Sequence, residues 1–326
     1  MRLPHRLTPL LLLTALAACS NAGDGIGFGA TGAGAVSAFV YLDRNGSLDI
    51  TQNVDTTFAG VRVGLVVLGT ADTALTGTTD AQGLVSFTAV PFGDYRLVVD
   101  TATVGDSLEV QAVDSGTVRL RANTQNWAVS VRLGFPLVTV AQARTLAAGA
   151  RVFVRALVLS GPGAFADTTG YITAGGTAIR LTRAANAQGF TQPGDSVRVL
   201  GTVASRAGQP VLDLARLYVF VASQGPPAGI PLTTALAALA DTGRADAALA
   251  AITAGAITDT MTVTGGFRIT VDDGSGPLDI LVDPNLPFAK NQAQPGKSVT
   301  GRGVLVPTGS GTWVLKPRAV ADLTIF

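Results

Sequence analysis

The predicted fold class is mostly β, with one β-sandwich followed by two copies of a five-stranded domain, and three observations predict it. Valine- and threonine-rich runs broken by glycine turns fill the chain, while long amphipathic patterns are scarce. Seven short apolar runs fall at 36–42, 61–68, 84–87, 95–99, 107–113, 117–121 and 128–133, the strand count and spacing of a sandwich. Finally, QPGDSVRVLGTV at 192–203 returns as QPGKSVTGRGVL at 294–305, an offset of 102 that marks a duplicated domain.

The first nineteen residues read as an export signal. Arg2, His5 and Arg6 form a positive region, residues 10–16 an apolar core too short to span a bilayer, and Leu16-Ala17-Ala18-Cys19 closes the segment. These four residues resemble the lipobox of bacterial lipoproteins. The resemblance implies cleavage before Cys19, acylation of its thiol and a stable membrane anchor through more than one acyl chain. Serine at position 20, rather than aspartate, implies sorting to the outer membrane, facing the periplasm or the cell surface. The glycine-rich stretch 23–34 contains Gly25-Ile26-Gly27-Phe28-Gly29, but a nucleotide loop needs a strand before it and a helix after it. A tether over residues 20–34 is the expected role.

Composition narrows the chemistry. His5 is the only histidine and Cys19 the only cysteine, so the chain beyond residue 19 has neither, and histidine-based triads, cysteine nucleophiles, zinc sites and haem ligation lose their commonest parts. Glu109 is the sole glutamate. A carboxylate pair would have to be aspartates, and Asp272-Asp273 precedes Gly274-Ser275-Gly276, which reads as a turn between strands. A non-enzymatic protein without a resident cofactor is expected, with calcium as the one candidate ion.

Within 35–133, the residues Gly60-Val61, Thr79-Asp80, Gly83, Phe87, Pro91, Gly93 and Tyr95 resemble the prealbumin-like modules, which include the SdrD B-like, Cna B-type and carboxypeptidase regulatory-like domains. The physical sense is turn chemistry: Gly83 takes positive φ after Asp80, and Pro91-Phe92-Gly93 returns Tyr95 to the sheet. The resemblance implies a stalk, spacer or adhesive module. It also implies an acidic calcium loop after the first strand, where Asp43, Asn45, Ser47 and Asp49 are the candidate ligands. A filled site and an empty Asx-rich turn both fit this shortened loop, whose twelfth position is Val54. With no lysine between 20 and 133, the lysine-to-asparagine crosslink of some Cna B-type domains is excluded in this module.

In the duplicated half, Gln192, Pro193, Gly194, Ser196, Val197 and Gly201 recur as Gln294, Pro295, Gly296, Ser298, Val299 and Gly303. Upstream, 170–181 and 267–281 each read as strand, glycine turn and strand. The phrase G-D-x-V-x-V-x-G-x-V and the five-strand count resemble bacterial extracytoplasmic OB-fold domains. This implies two five-stranded OB-like barrels over 137–222 and 230–326, with the linker 223–229 between them. Alanine-rich segments at 233–240 and 244–252 are expected to be short helices capping the second barrel.

Charge is segregated along the chain. Residues 134–222 hold eight arginines and three aspartates, residues 20–133 six arginines and eleven acids. Arg151, Phe153 and Arg155 alternate with Val152 and Val154 and so share a face; Tyr171, Arg180, Arg183 and Arg198 are the other candidates for a stacking, positively charged ligand face. Two functions are therefore expected. The first is a structural or binding module of the cell envelope, with a further envelope protein as a possible partner. The second is recognition of an anionic polymer, either single-stranded nucleic acid or acidic polysaccharide. An exposed solvated face, or docking of the arginines onto the acidic first domain, is the plainer account of the same residues.

Overall fold

The computed structural model describes residues 32–114, 116–123, 125–161, 164–182, 191–223 and 225–326. Cys19, the lipobox, most of the tether and Arg183 lie outside the described residues. Strands make up 54% of the described residues and helix 6%, so the mostly β class is observed. The chain divides into two compact units. One holds residues up to Val40, Thr57–Thr103 and Ala112–Val131; the other holds Tyr41–Thr56, Val104–Gln111 and Arg132–Phe326.

Nine strands form the sandwich region: β1 (Ala33–Leu42), β2 (Thr56–Thr57), β3 (Arg62–Val67), β4 (Thr73–Thr78), β5 (Leu84–Pro91), β6 (Gly93–Val99), β7 (Glu109–Val113), β8 (Thr117–Leu120) and β9 (Asn126–Gly134). One sheet runs β2-β1-β9-β7, with β5 also on β1; the other runs β4-β3-β6-β8. All seven expected runs are strands. Along β1, Val36, Ala38 and Val40 point inward by strict alternation. The turn residues act as their chemistry dictates. Thr79 Oγ1 accepts from Val61 N–H and donates to the Phe58 carbonyl, Asp80 Oδ1 accepts from Gln82 and Leu84 N–H, and Gly83 sits at φ +73°. A Cβ at Gly83 would lie 2.3 Å from the Val40 carbonyl oxygen, so position 83 admits only glycine. The Tyr95 hydroxyl donates to the Pro91 carbonyl at 2.9 Å and closes the β5–β6 turn.

The first barrel comprises β10 (Leu137–Val138), β11 (Arg151–Ser160), β12 (Gly170–Ala174), β13 (Thr177–Thr182), β14 (Ser196–Arg206) and β15 (Gln209–Val221), with helix α1 (Val140–Ala143) ahead of β11. Its path β11-β12-β13-β15-β14 closes through β11–β14, and β13 runs parallel to β15. The second comprises β16 (Ile230–Pro231), helix α2 (Thr234–Ala238), β17 (Leu249–Val263), β18 (Gly266–Asp272), β19 (Pro277–Val282), β20 (Ser298–Pro307), β21 (Trp313–Lys316) and β22 (Leu323–Ile325). It repeats the same path, closed through β17–β20 with β19 parallel to β21. Closure leaves no free edge along these ladders.

The recurring Pro-Gly phrase has one physical purpose in both copies. Gly194 and Gly296 adopt φ +93° and +90°. Gly194 N–H donates to the Val158 carbonyl and Val158 N–H to the Asp195 carbonyl; Gly296 N–H donates to Ile257 and Ile257 N–H to Lys297 in the same way. The turn is thus pinned against strand one just before the chain enters strand four. Each barrel also opens on a threonine N-cap, Thr139 accepting from Gln142 N–H and Thr233 from Leu236 N–H.

The second expected helix, over 244–252, is not formed. The chain turns through Ala240, Asp241, Thr242, Gly243 and Ala247 at positive φ, and β17 begins at Leu249. Ala247 N–H donates to the Leu305 carbonyl and Leu305 N–H to Ala248, so long-range pairing with β20 overrides the helical preference of alanine. The expected helix over 233–240 is present as the shorter α2.

The interior of the first barrel, around Val154, Ile179, Val199 and Leu212, is a core of its own, and a second apolar cluster spans the two barrels. Leu159, Phe165, Tyr171 and Ala178 from the first pack with Ala237, Ile252, Ile280, Val304 and Leu315 from the second. Three buried charge clusters sit along this seam. Arg144 reaches Asp246 at 3.1 Å and the Ala178 carbonyl at 2.9 Å, and Trp313 Nε1 donates to Asp246 at 2.6 Å. Lys316 Nζ lies 2.9 Å from Asp167, 3.1 Å from Asp283 and over the Phe165 ring, while Asp283 accepts from Ala166 N–H. Arg318 pairs with Asp322 and donates to the Leu159 carbonyl at 2.8 Å, and Arg302 also contacts Asp322.

Burial alone would raise the Asp322 carboxyl, but the Arg318 hydrogen bond and charge hold it below its ordinary 3.8. The folded chain therefore favours the ionised form more than the unfolded chain does. That contribution is complete above the unfolded value and is lost as pH falls through the folded one. The urea midpoint is expected to drop below pH about 4, and Asp322→Asn, less stable at neutral pH, is expected to flatten that drop.

Candidate functional site

The outer face of the first barrel brings together four of the sequence-derived ligand residues, Arg151, Phe153, Arg155 and Arg198. Alternation along β11 turns Val152, Val154 and Ala156 into the barrel core and Arg151, Phe153 and Arg155 outward. The register β11–β14–β15 then sets Arg155 opposite Arg198 and Arg198 opposite Tyr218.

Much of this face is covered by the segment Tyr41–Thr56, which belongs to the barrels' compact unit. Gly46, at φ +72°, lies against the Phe153 ring; a Cβ there would come within 2.4 Å of it. The Tyr218 hydroxyl donates to the Asn45 carbonyl, and Arg132 donates to the Leu48 carbonyl. Arg198 stacks on Phe153 with its Cζ 3.8 Å from the ring centroid. Burial pulls its guanidinium down from the ordinary value, opposed by the charge of Asp43, and burial likewise pushes the Tyr218 hydroxyl up.

The candidates thus separate. Phe153 and Tyr171 are fully buried, which corrects their expected placement on a stacking platform. Phe153 is capped by the loop and by Arg198; Tyr171 packs edge-on to Phe165 in the seam, where burial pushes its hydroxyl up to about 12. Arg198 is buried and Arg180 is half-buried beside Tyr171 across the β12–β13 ladder. Arg151 is exposed but rests 4.5 Å from the Phe135 ring. Arg183 lies outside the described residues. Arg155 alone stands exposed beside an open groove, 5.6 Å from Phe220, a residue that sequence reasoning passed over because its partner lies sixty-five positions away.

The candidate calcium loop is held by its own backbone. Asp43 accepts from the N–H groups of Gly46, Ser47 and Leu48, Asn45 Oδ1 accepts from Ser47 N–H, and Ser47 Oγ donates to the Asp49 carbonyl. Among the described residues no three acidic side chains gather as metal ligands. This is the arrangement of an Asx turn, with the Asp43 carboxylate and the Asn45 amide oxygen turned to backbone N–H groups. Calcium or EGTA is expected to leave the thermal midpoint unchanged to within about 1 °C; a rise of several degrees with calcium would place an ion in the loop. At Asp272-Asp273 the structure has the expected turn: Asp273 accepts from Thr234 and Ser275, which hold its carboxyl well below the usual range and tie α2 to the β18–β19 turn.

No family model matches the chain, and no curated protein matches it. Among solved structures, the hypothetical protein ygiW from E. coli is similar over 26% of this chain and 97% of its own, at 19% identity and a TM-score of 0.23. A murine DNA binding protein bound with double-stranded DNA is similar over 53% and 97%, at 9% identity and a TM-score of 0.30. The RrgB pilus protein from Streptococcus pneumoniae is similar over 53% and 32%, at 10% identity and a TM-score of 0.26. These likenesses carry no functional argument.

Proposed function

We propose that the protein is a non-enzymatic, lipid-anchored structural module of the bacterial cell envelope, joined to the outer membrane through Cys19. The observation that carries this reading is where the charged side chains go. Lys316, Arg318 and Arg144 are committed to the seam between the barrels, and Arg198 to the docked loop. What remains is a pair of barrels joined by an apolar cluster, suited to holding a fixed spacing, together with a lipobox-like segment that supplies the anchor.

Recognition of an anionic polymer is the weaker reading. A single strand needs stacking rings and several cations along one groove, and the two candidate rings are buried. The test has two arms on the full chain. Labelling with radioactive palmitate is expected to mark the protein and to fail with Cys19→Ser; unlabelled wild type would remove the anchor. Single-stranded DNA and an acidic polysaccharide, titrated across a salt series, are expected to show no salt-dependent binding; tight binding that weakens with salt and is lost in Arg155→Ala would favour the polymer reading.

A further inference from the structure

Arg155 lies between two lobes of one surface groove on the first barrel. The larger, of about 700 Å³, is lined by Leu157, Ala174, Val197 and Phe220; the smaller, of about 490 Å³, by Leu137 and Val138. Both lobes include Arg155, Ala174 and Gly175, so they meet at the β12–β13 hairpin tip. Leu137, Leu157 and Phe220 are 43%, 40% and 48% exposed, which is unusual for side chains of this size grouped together.

Among the described residues no carboxylate pairs with Arg155; its neighbours are the Phe220 ring and, across the ladder, the like-charged Arg198. Arg198 itself is buried beneath the loop. The groove therefore presents one charged side chain, the Arg155 guanidinium, beside the apolar Leu137, Leu157 and Phe220, and its other polar lining, Thr139, Gln142, Thr173 and Ser196, is neutral. A polyanion would find a single cation there and no counter-charge for its other groups. A neutral apolar ligand would leave the cation unanswered. The complementary ligand has one anionic head for Arg155 and one apolar tail for Leu157 and Phe220.

We propose that this groove binds a single-chain amphipathic anion, a carboxylate or phosphate monoester bearing an aliphatic tail. This goes beyond the structural role and holds whether or not Cys19 is acylated. Each lobe's size is within the range of ligand pockets, and the guanidinium fork suits either head.

The test is calorimetric titration of the full chain carrying Cys19→Ala, so that no attached acyl group competes. Laurate, kept below its micelle concentration, is expected to bind one per chain and at least about tenfold more tightly than dodecanol, a difference of about 1.4 kcal/mol. Dodecyl phosphate in place of laurate distinguishes the two head groups; tighter binding of either identifies the source. Arg155→Gln is expected to bring laurate down to the level of dodecanol while dodecanol is unchanged, and Phe220→Ala to weaken both. Equal affinity for laurate and dodecanol, or laurate binding untouched by Arg155→Gln, overturns the proposal. So does a dimer in sedimentation that Phe220→Ala abolishes and laurate leaves intact, because the groove would then be filled by a second copy.

Discussion

Asp246→Ala is expected to cost about 3–5 kcal/mol of unfolding free energy. The side chain is nearly fully buried and answers two donors at once, the Arg144 guanidinium and the Trp313 indole N–H. Truncation leaves a half-buried cation facing an apolar core and an indole without an acceptor. The loss arises from the stranded partners and not from the intrinsic worth of the ion pair, which replacement of both partners would separate. Urea unfolding checks this: a fall of under about 1 kcal/mol would mean that water reaches Arg144 and solvates it in the variant. The double variant Arg144→Met with Asp246→Leu is expected to recover much of the loss.

Gly46→Val is expected to cost about 1–3 kcal/mol and to lift the loop from the first barrel. Two effects add at this position: φ of +72° resists a β-branched residue, and the new Cβ collides with the Phe153 ring. The informative readout is optical. Burial raises the Tyr218 hydroxyl in the folded chain, so lifting the loop should bring its titration back toward 10, seen as earlier tyrosinate absorbance that Tyr218→Phe removes. An unchanged titration would mean that the loop is not what buries Tyr218. The same variant exposes Phe153 and Arg198, so any salt-dependent affinity for single-stranded DNA gained by Gly46→Val and absent from the wild type would make the loop a cover over a polymer site.

Local chemistry was legible in the sequence, and long-range covering was not. The seven sandwich strands, the paired barrels and the turn glycines follow from alternation, from the 102-residue offset and from Asx and Pro-Gly chemistry. Strand β4 was missed because Thr73, Thr76 and Thr78 with Gly77 show no apolar alternation on a largely exposed strand. The segment 249–252 reads as helix in the sequence because alanine favours one locally, whereas β20 supplies a partner about fifty residues away. The shared face of Arg151, Phe153 and Arg155 was read correctly from period two. What buries Phe153 is a loop about a hundred residues earlier, and what buries Tyr171 is the other barrel. Neither leaves a mark near those residues, and so the stacking platform looked open. Acidic and basic segments on one chain were the available hint, since opposite charges in one sequence have each other as the nearest partners.

The apolar cluster that spans both barrels also dictates an order of events during synthesis. The first barrel can close once β15 has been made, but the face carrying Leu159, Phe165 and Tyr171 gains its cover only when β17 to β21 have followed. For roughly a hundred residues of elongation, at about 5–20 residues per second, a finished barrel carries a bare apolar side. A chain ending after the first barrel would keep that side permanently, and with it a persistent tendency to self-associate.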